Sequence, residues 1–481
     1  MSEFFMSIDG QAVAAKETFG VVNPASGEVF EQAPECTRDQ LDAAFESAQR
    51  ACVSWRSDEG DRRKALLAIA DVLMASAGDI APIITAEQGK PLAEANFEVF
   101  GAAIWCQYFA NLETAPEVIQ DDASALVQVV RRPLGVIAAI TPWNFPLLLA
   151  FWKIAPALLA GNTVVIKPSP FTPLSTLKVA ELLQSALPAG VLNAVSGGDL
   201  LGAQMTSHPV PRKISFTGSV ETGKKVALAA APDLKRVTLE LGGNDPAIVL
   251  DDADPAVVAK AIFTGAFSNN GQICSAIKRV YVPESLYDDV VDGLAACASA
   301  IRVGDGSDPQ SQLGPINNLP QFERVKELVA DALSNGATAV TGGHAMERPG
   351  YFFEPTILTG LSDGTRIVDE EQFGPALPVI KYRSIDDAIE RANATNFGLS
   401  GSVWGTDVER ASAVASQLEC GTAWINTHLG LAPNQPFGGC KWSGLGVENG
   451  KWGLSEFTEV QSFYQSRTTD GTNPIMALLV E

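Results

Sequence analysis

From Leu134 onward, short apolar runs alternate with helical stretches, and no other feature of this chain constrains its fold as much. Gly135 to Ile140, Thr163 to Ile166 and Lys213 to Phe216 read as strands, with Pro173 to Ser185 and Glu221 to Ala230 as helices among them. Such a rhythm is the signature of a parallel sheet covered by helices on both faces. A second alternating series starts near Pro246 and runs to about Asn426, with strands expected at Arg279 to Val282, Ala337 to Val340, Ser400 to Trp404 and Ala423 to Ile425. A chain of 481 residues exceeds what one core usually supports. Two α/β domains in series are therefore expected.

Segments outside the two series carry their own signals. Asn23-Pro24-Ala25-Ser26-Gly27 marks a turn, and helical patterns follow at about Thr37 to Trp55, Asp61 to Ala77 and Leu92 to Leu112. Thr37 and Gln40 have the capping-box spacing that satisfies the first free amides of a helix. Leu126 to Arg132 and Phe457 to Tyr464 alternate as strands but belong to neither series. Strands outside both cores leave open edges. They are expected to form a small oligomerisation β-element, with a decorating sheet as the plain structural alternative.

A net charge of −22 argues against nucleic acid and against anionic membranes, which both need a basic surface. The start, Met1-Ser2-Glu3-Phe4-Phe5, lacks the basic region and apolar core of a secretory signal. The most apolar long segment, Leu134 to Gly161, is interrupted by Pro142, Asn144, Pro146, Lys153 and Pro156 before it could span a membrane. A soluble, cytoplasmic protein without membrane partners is expected. Seven cysteines, odd in number and without Cys-x-x-Cys spacing, argue against a disulfide framework and against a metal site.

The chemistry centres on Cys274, in Asn269-Asn270-Gly271-Gln272-Ile273-Cys274-Ser275, with Glu240 standing 34 positions earlier in Leu239-Glu240-Leu241-Gly242-Gly243. A lone cysteine is more often an inert buried thiol. The three histidines, His208, His344 and His428, read as surface or loop residues, which weakens any Cys-His protease reading. Thr217-Gly218-Ser219-Val220-Glu221-Thr222-Gly223 follows a strand and opens a helix, an arrangement that suits a pyrophosphate but equally a plain tight turn. Lys167, before Pro168-Ser169-Pro170, ends another strand, where it could meet a ribose hydroxyl or simply be solvated. Thr141-Pro142-Trp143-Asn144-Phe145-Pro146 sets a neutral amide donor between two stiffening prolines, as an oxyanion site would.

Taken together these segments resemble the aldehyde dehydrogenase superfamily, from about Asn23 to Ser462. The resemblance rests on six motifs in the family's order: Thr-Pro-Trp-Asn-Phe-Pro at 141 to 146, Phe-Thr-Gly-Ser at 216 to 219, Leu-Glu-Leu-Gly-Gly at 239 to 243, Gly-Gln-x-Cys at 271 to 274, Glu-Gln-Phe-Gly-Pro at 371 to 375 and Pro-Phe-Gly-Gly-Cys-Lys-Trp-Ser-Gly at 436 to 444. It implies an α/β fold of two doubly wound parallel-sheet domains, a Rossmann-like cofactor domain (1–113 and 134–242) and a catalytic domain (243–445). The oligomerisation element and C-terminal segment would occupy 114–133 and 446–481, in a homodimer or homotetramer.

By the same resemblance, Cys274 is the nucleophile toward an aldehyde, Asn144 the oxyanion donor and Glu240 the base that activates water for thioester hydrolysis. Thr141, Pro142, Trp143, Lys167, Ser169, Pro170, Thr217, Gly218, Ser219, Gly223, Leu241, Glu371 and Phe373 are implied as cofactor-binding. Many NAD-preferring members have a glutamate where Pro170 stands, so NAD and NADP both stay open. Semialdehyde members resemble one another in an arginine six residues before the nucleophile, and Ser268 occupies that position. Leu148, Leu149, Trp152, Ile273, Ser275, Leu431 and Phe437 resemble an apolar substrate tunnel, which implies an uncharged aliphatic or aromatic aldehyde. The rival readings are a semialdehyde dehydrogenase and, from another class, a thiol-dependent hydrolase using the same Cys274 and Glu240.

Overall fold

Val136–Ile140, Thr163–Lys167, Leu192–Ala194 and Lys213–Thr217 are buried at every residue, the pattern of strands covered on both faces. With Arg236–Glu240 they form the parallel centre of an eight-stranded sheet. Its edges are antiparallel: Met6–Ile8 and Gln11–Val13 extend one side, and Gly444–Leu445 joins Arg236–Glu240 on the other. The structure, a computed structural model, describes residues 4–467, so the last part of the expected C-terminal segment, 468–481, lies outside the described residues.

The path of the chain through this sheet positions the site. It passes from Val136–Ile140 to Thr163–Lys167 to Leu192–Ala194 in one direction, then returns to set Lys213–Thr217 on the other side of Val136–Ile140. Open α/β sheets bind ligands in the crevice that such a reversal opens at the carboxyl ends of the strands. The segments leaving those two ends are Thr141 to Pro146 and Gly218 to Ser219, both singled out in the sequence.

A second, seven-stranded sheet runs in the order Thr338–Thr341, Thr356–Thr359, Ala376–Tyr382, Ile277–Pro283, Asp245–Val249, Ser400–Trp404, Thr422–Ile425. Along its strands alternate residues enter different cores, Ile248 and Leu250 on one face and Ala247 and Val249 on the other. The mixed α/β architecture with two parallel-rich sheets matches the expectation. One strand differs: Thr338–Thr341 pairs antiparallel at the edge rather than continuing the parallel series. A helix that the sequence did not suggest, Ala77–Gln88, follows Glu59–Ala75 at a bend of 72°. Gly78 and Pro82, which lacks the amide for a bond to the preceding turn, hide its helical pattern.

The two strands that fitted neither series pair with each other. Ala125–Pro133 and Thr458–Ser466 run antiparallel over their full nine residues, and Glu117–Asp121 completes a three-stranded sheet. Val118, Ile119, Val460, Phe463 and Tyr464 on it are exposed. Thr37 caps the helix Arg38–Trp55 with the reciprocal Thr37–Gln40 bonds that the spacing suggested. Among the described residues no single helix is long and apolar enough to cross a membrane.

Candidate active site

After the helix Pro255–Phe267 the chain takes three consecutive left-handed residues, Asn269 (φ 48°), Asn270 (φ 57°) and Gly271 (φ 74°). Asparagine tolerates this region better than other residues with a Cβ. At 271 only glycine fits, because a Cβ there would lie 2.3 Å from the Gly374 carbonyl oxygen. The turn is caged by its own amides: Gln272 Nε2 donates to Asn269 O (2.9 Å), and Gln272 Oε1 accepts from Asn317 N (2.8 Å). Lys278 Nζ closes the far side, donating to Cys274 O at 2.6 Å and Ile273 O at 2.9 Å. Cys274 is thereby presented, half-buried, where two cavities of about 810 and 650 Å³ meet. Cys274, Asn144 and Thr217 line both.

Asn144 is held from two sides. Its carbonyl accepts from Lys90 Nζ (2.8 Å) and Asn269 Nδ2 (3.1 Å), and its own Nδ2 donates to Gln272 O (2.9 Å). Lys90 in turn pairs with Glu98 at 2.7 Å, both side chains wholly buried, and Glu98 Oε1 accepts from the Leu147 and Leu148 amides. One Nδ2 hydrogen of Asn144 suffices for Gln272, which leaves the second for a ligand oxygen.

Glu240 ends its strand with both carboxylate oxygens buried and unpartnered in the protein. Burial first, and the neighbouring Glu448 carboxylate second, push its pKa well above the ordinary carboxylate value, against the opposing pull of Lys153. An orphaned buried carboxylate facing a cavity is poised to take a proton from something in that cavity. Burial likewise pushes the Cys274 thiol up to about 12, with Lys278 drawing it down and Glu240 and Glu371 adding to the rise.

The larger cavity gathers most of the residues implied as cofactor-binding. Pro142, Trp143, Thr217, Gly218, Ser219, Leu241, Glu371 and Phe373 line it. Ser219 caps the helix Val220–Ala230, whose first amides face this cavity's end of the sheet. Glu371 Oε1 accepts from Gly243 N (3.1 Å) and lies 3.3 Å from Lys278 Nζ, and a Cβ on Gly242 would strike Glu371 Oε2 at 2.2 Å. Phe373 packs edge-on against Trp143 at 5.2 Å. Gly223 does not line the cavity; it lets its helix approach Leu241, whose Cδ2 would be 2.5 Å from an added Cβ. Thr141, Lys167, Ser169 and Pro170 also stand outside the lining, at and beyond the ends of the adjacent strands, with Thr141 N donating to Lys167 O at 3.1 Å. Lys167 is buried rather than solvated, and burial pushes it down to about 8. A cavity of about 810 Å³ that holds Glu371 together with Gly218 and Ser219, at the N-terminus of the helix Val220–Ala230, fits a dinucleotide.

The second cavity contains every residue implied for the tunnel: Leu148, Leu149, Trp152, Ile273, Ser275, Leu431 and Phe437. Trp152 is a tunnel wall and a packing element at once, stacked on Trp105 at 5.6 Å and edge-on to Phe437 at 5.4 Å. The charged residues lining this cavity are all acidic, namely Glu94, Glu240 and Glu448.

The supporting residues escaped the sequence reading. Lys90, Glu98, Lys153, Lys278 and Glu448 are buried charges from four distant segments, and only their pairing in space reveals them. Asn269-Asn270-Gly271 did carry a legible signal, since adjacent asparagines before glycine favour left-handed backbone. Two of the histidines lie in loops, as expected, but pack inward. His208 is buried, stacked on Phe45 at 4.3 Å with Nε2 3.1 Å from Asp42, and His428 reaches the Ser275 carbonyl at 2.7 Å. Among the described residues no cluster of His, Cys, Asp or Glu could hold a metal ion.

Comparison with known proteins adds three findings. Residues 12–463 match the model of the Aldehyde dehydrogenase family. The chain is 40% identical to the Succinate-semialdehyde dehydrogenase (NADP(+)) GabD of Escherichia coli (strain K12), covering 92% of this chain and 94% of that protein, and 39% identical to Phenylacetaldehyde dehydrogenase of Pseudomonas fluorescens, covering 95% of each. The solved NAD+ complex structure of an aldehyde dehydrogenase from Bacillus cereus superposes with a TM-score of 0.94 at 36% identity, covering 96% of both chains.

Proposed function

The chain belongs to the aldehyde dehydrogenase family, and from that premise we propose that it oxidises uncharged aliphatic or aromatic aldehydes to carboxylic acids with NAD or NADP. Cys274 attacks the carbonyl carbon as the thiolate, its proton passing to Glu240 and on to solvent, giving a thiohemiacetal whose oxyanion accepts from the free Nδ2 hydrogen of Asn144 and the Cys274 backbone amide. A nicotinamide dinucleotide, when bound, supplies the hydride acceptor that lets the thiohemiacetal become a thioester. Pro142, Trp143, Thr217, Gly218, Ser219, Leu241, Glu371 and Phe373 would hold it, with Thr141, Lys167, Ser169 and Pro170 toward the adenosine end, while Gly223 acts by letting its helix pack on Leu241. Glu240 then removes a proton from water as it attacks the thioester, releasing the acid and the thiolate. Its pKa, raised by burial and by Glu448, makes Glu240 a stronger base than an ordinary carboxylate.

The acidic-only charge of the second cavity carries the substrate reading. A substrate carboxylate would meet Glu94, Glu240 and Glu448 there with no basic residue among the lining to pair it. Ser268 lines the same cavity without supplying a cation. The test is the specificity constant for hexanal, phenylacetaldehyde and succinate semialdehyde, each with NAD and with NADP. Hexanal or phenylacetaldehyde should exceed the semialdehyde, and the reverse order would overturn the substrate reading. If no aldehyde yields reduced cofactor while esters are still cleaved, the thiol hydrolase reading takes its place.

We further propose that 1–113 and 134–242 bind the cofactor, that 243–445 supplies the nucleophile, and that 114–133 with 446–481 joins copies of the chain. The exposed apolar side chains of the three-stranded sheet support a homodimer or homotetramer. Light scattering that gave a monomer mass would contradict it.

A further inference from the structure

Lys278 stands four residues after Cys274, in the strand Ile277–Pro283, every residue of which is buried. Its side chain is only 2% exposed. A buried ammonium is tolerated where its three donors find acceptors. Here all three do: Cys274 O at 2.6 Å, Ile273 O at 2.9 Å and Glu371 Oε1 at 3.3 Å. The first two acceptors belong to the turn that presents the nucleophile, and the third to a carboxylate lining the larger cavity. A lysine that served the turn alone would need only the two carbonyls.

Further contacts join the same two segments. Gln372 Nε2 donates to the Lys278 carbonyl at 3.0 Å, and the Lys278 ammonium lies 5.8 Å from the centre of the Phe373 ring. Gly243 fits between them: its amide donates to Glu371 Oε1 at 3.1 Å, and a Cβ on it would lie 2.6 Å from Cys274 O. Glu371, Gln372 and Phe373 are thus tied to the residue that holds Cys274. The ionisable groups bearing on Cys274 are Lys278, Glu240, Glu371 and Asp245, and Lys278 alone among them is basic. It opposes the effect of burial on both the thiol and Glu371.

We infer that Lys278 is a positioning residue for the oxidation: one ammonium clamps the Cys274 backbone to the Glu371 carboxylate, and so sets the nucleophile at a fixed separation from the cofactor ribose. This rests on the reading of the larger cavity as the dinucleotide site. The clamp acts in two ways. Its charge favours the thiolate in the protein without cofactor, and its hold on Glu371 orders that carboxylate before a ribose hydroxyl donates to it.

The experiment compares the wild type with K278M, K278R and E371Q. Three quantities are measured: the rate of Cys274 alkylation by iodoacetamide without cofactor, located by peptide mapping; the dissociation constants for NAD and NADP by calorimetry; and the melting temperature. K278M should slow alkylation at pH 8 by about tenfold and weaken cofactor binding by about two- to tenfold. K278R keeps the charge and should alkylate faster than K278M. E371Q changes a residue at the cavity wall rather than in the core, so it reads the clamp even if K278M does not fold. With the opposing carboxylate neutralised, the ammonium acts on Cys274 undivided, and alkylation should quicken by about threefold or more. A K278M protein changed only in melting temperature reduces Lys278 to a packing residue and overturns the inference. Slower alkylation with unchanged cofactor affinity overturns it as well, because the clamp then ends at the thiol, and so does unchanged alkylation in E371Q. Absence of NAD and NADP binding by the wild type defeats the dinucleotide reading instead.

Discussion

Replacing Lys90 by Met removes the cation that joins Glu98 to the Asn144 carbonyl, and the cost can be worked from its contacts. Lys90 Nζ makes two charge-assisted bonds, at 2.7 and 2.8 Å, and sits 3.7 Å from the centre of the Phe145 ring. Hydrogen bonds to charged groups contribute about 1.5–3 kcal/mol each, and breaking a buried pair from one side costs about 3–5 kcal/mol because the remaining charge is stranded. Glu98, wholly buried, would keep only the Leu147 and Leu148 amides. Differential scanning calorimetry should show K90M melting about 3–5 °C below wild type. K90M/E98Q removes the stranded charge and should recover most of that loss, to within about 1–2 kcal/mol. Turnover should not recover, because Asn144 has lost the charged one of its two carbonyl donors in both proteins, and a displacement near 1 Å at a reacting group can cost about a hundredfold. A K90M protein within about 1 kcal/mol of wild type, or a double variant less stable than the single one, would refute the reasoning.

Other consequences can be checked separately. Because burial pushes Cys274 up to about 12, its alkylation by iodoacetamide in the cofactor-free protein should accelerate about tenfold per pH unit through the neutral and mildly alkaline range. Peptide mapping distinguishes it from the exposed Cys440, and a plateau near pH 8 would contradict the burial effect. The Glu448 carboxylate raises Glu240, so Glu448→Gln should move the ascending, base-dependent limb of the pH–kcat profile to lower pH; a shift to higher pH would be the wrong sign. Gly271→Ala combines a left-handed backbone with a 2.3 Å clash and should cost at least about 1–3 kcal/mol, together with most of the activity. An active, equally stable protein would show that the turn at Cys274 is not tightly specified.

The fold is largely legible in the sequence because its central strands are buried on both faces, so Val136–Ile140 and Thr163–Lys167 stand out as apolar runs without needing their partners. Thr338–Thr341 is harder: an edge strand's direction is set by the chain path around it, not by its own residues. The helix Ala77–Gln88 is masked by Pro82, whose place is fixed by tertiary packing of Ile80 and Ile84. Cys274, Glu240 and Asn144 are found through motifs that are local in sequence. Lys90 with Glu98 and Lys153 with Glu448 are not, because a buried lysine looks like a solvated one until its partner is placed beside it. Lys167 shows the same blindness: it reads equally as a solvated loop residue and is in fact buried.

The central claim is that Cys274, where the two cavities meet, carries the substrate as a thioester that Glu240 allows water to release. Glu240→Gln, mixed with hexanal and excess NAD, should give a burst of about one reduced cofactor per active site. It should then accumulate protein heavier by the mass of one hexanoyl group, with fragmentation locating that mass on Cys274. Full turnover by Glu240→Gln at the wild-type rate, or an acyl group found on any other residue, would contradict the account.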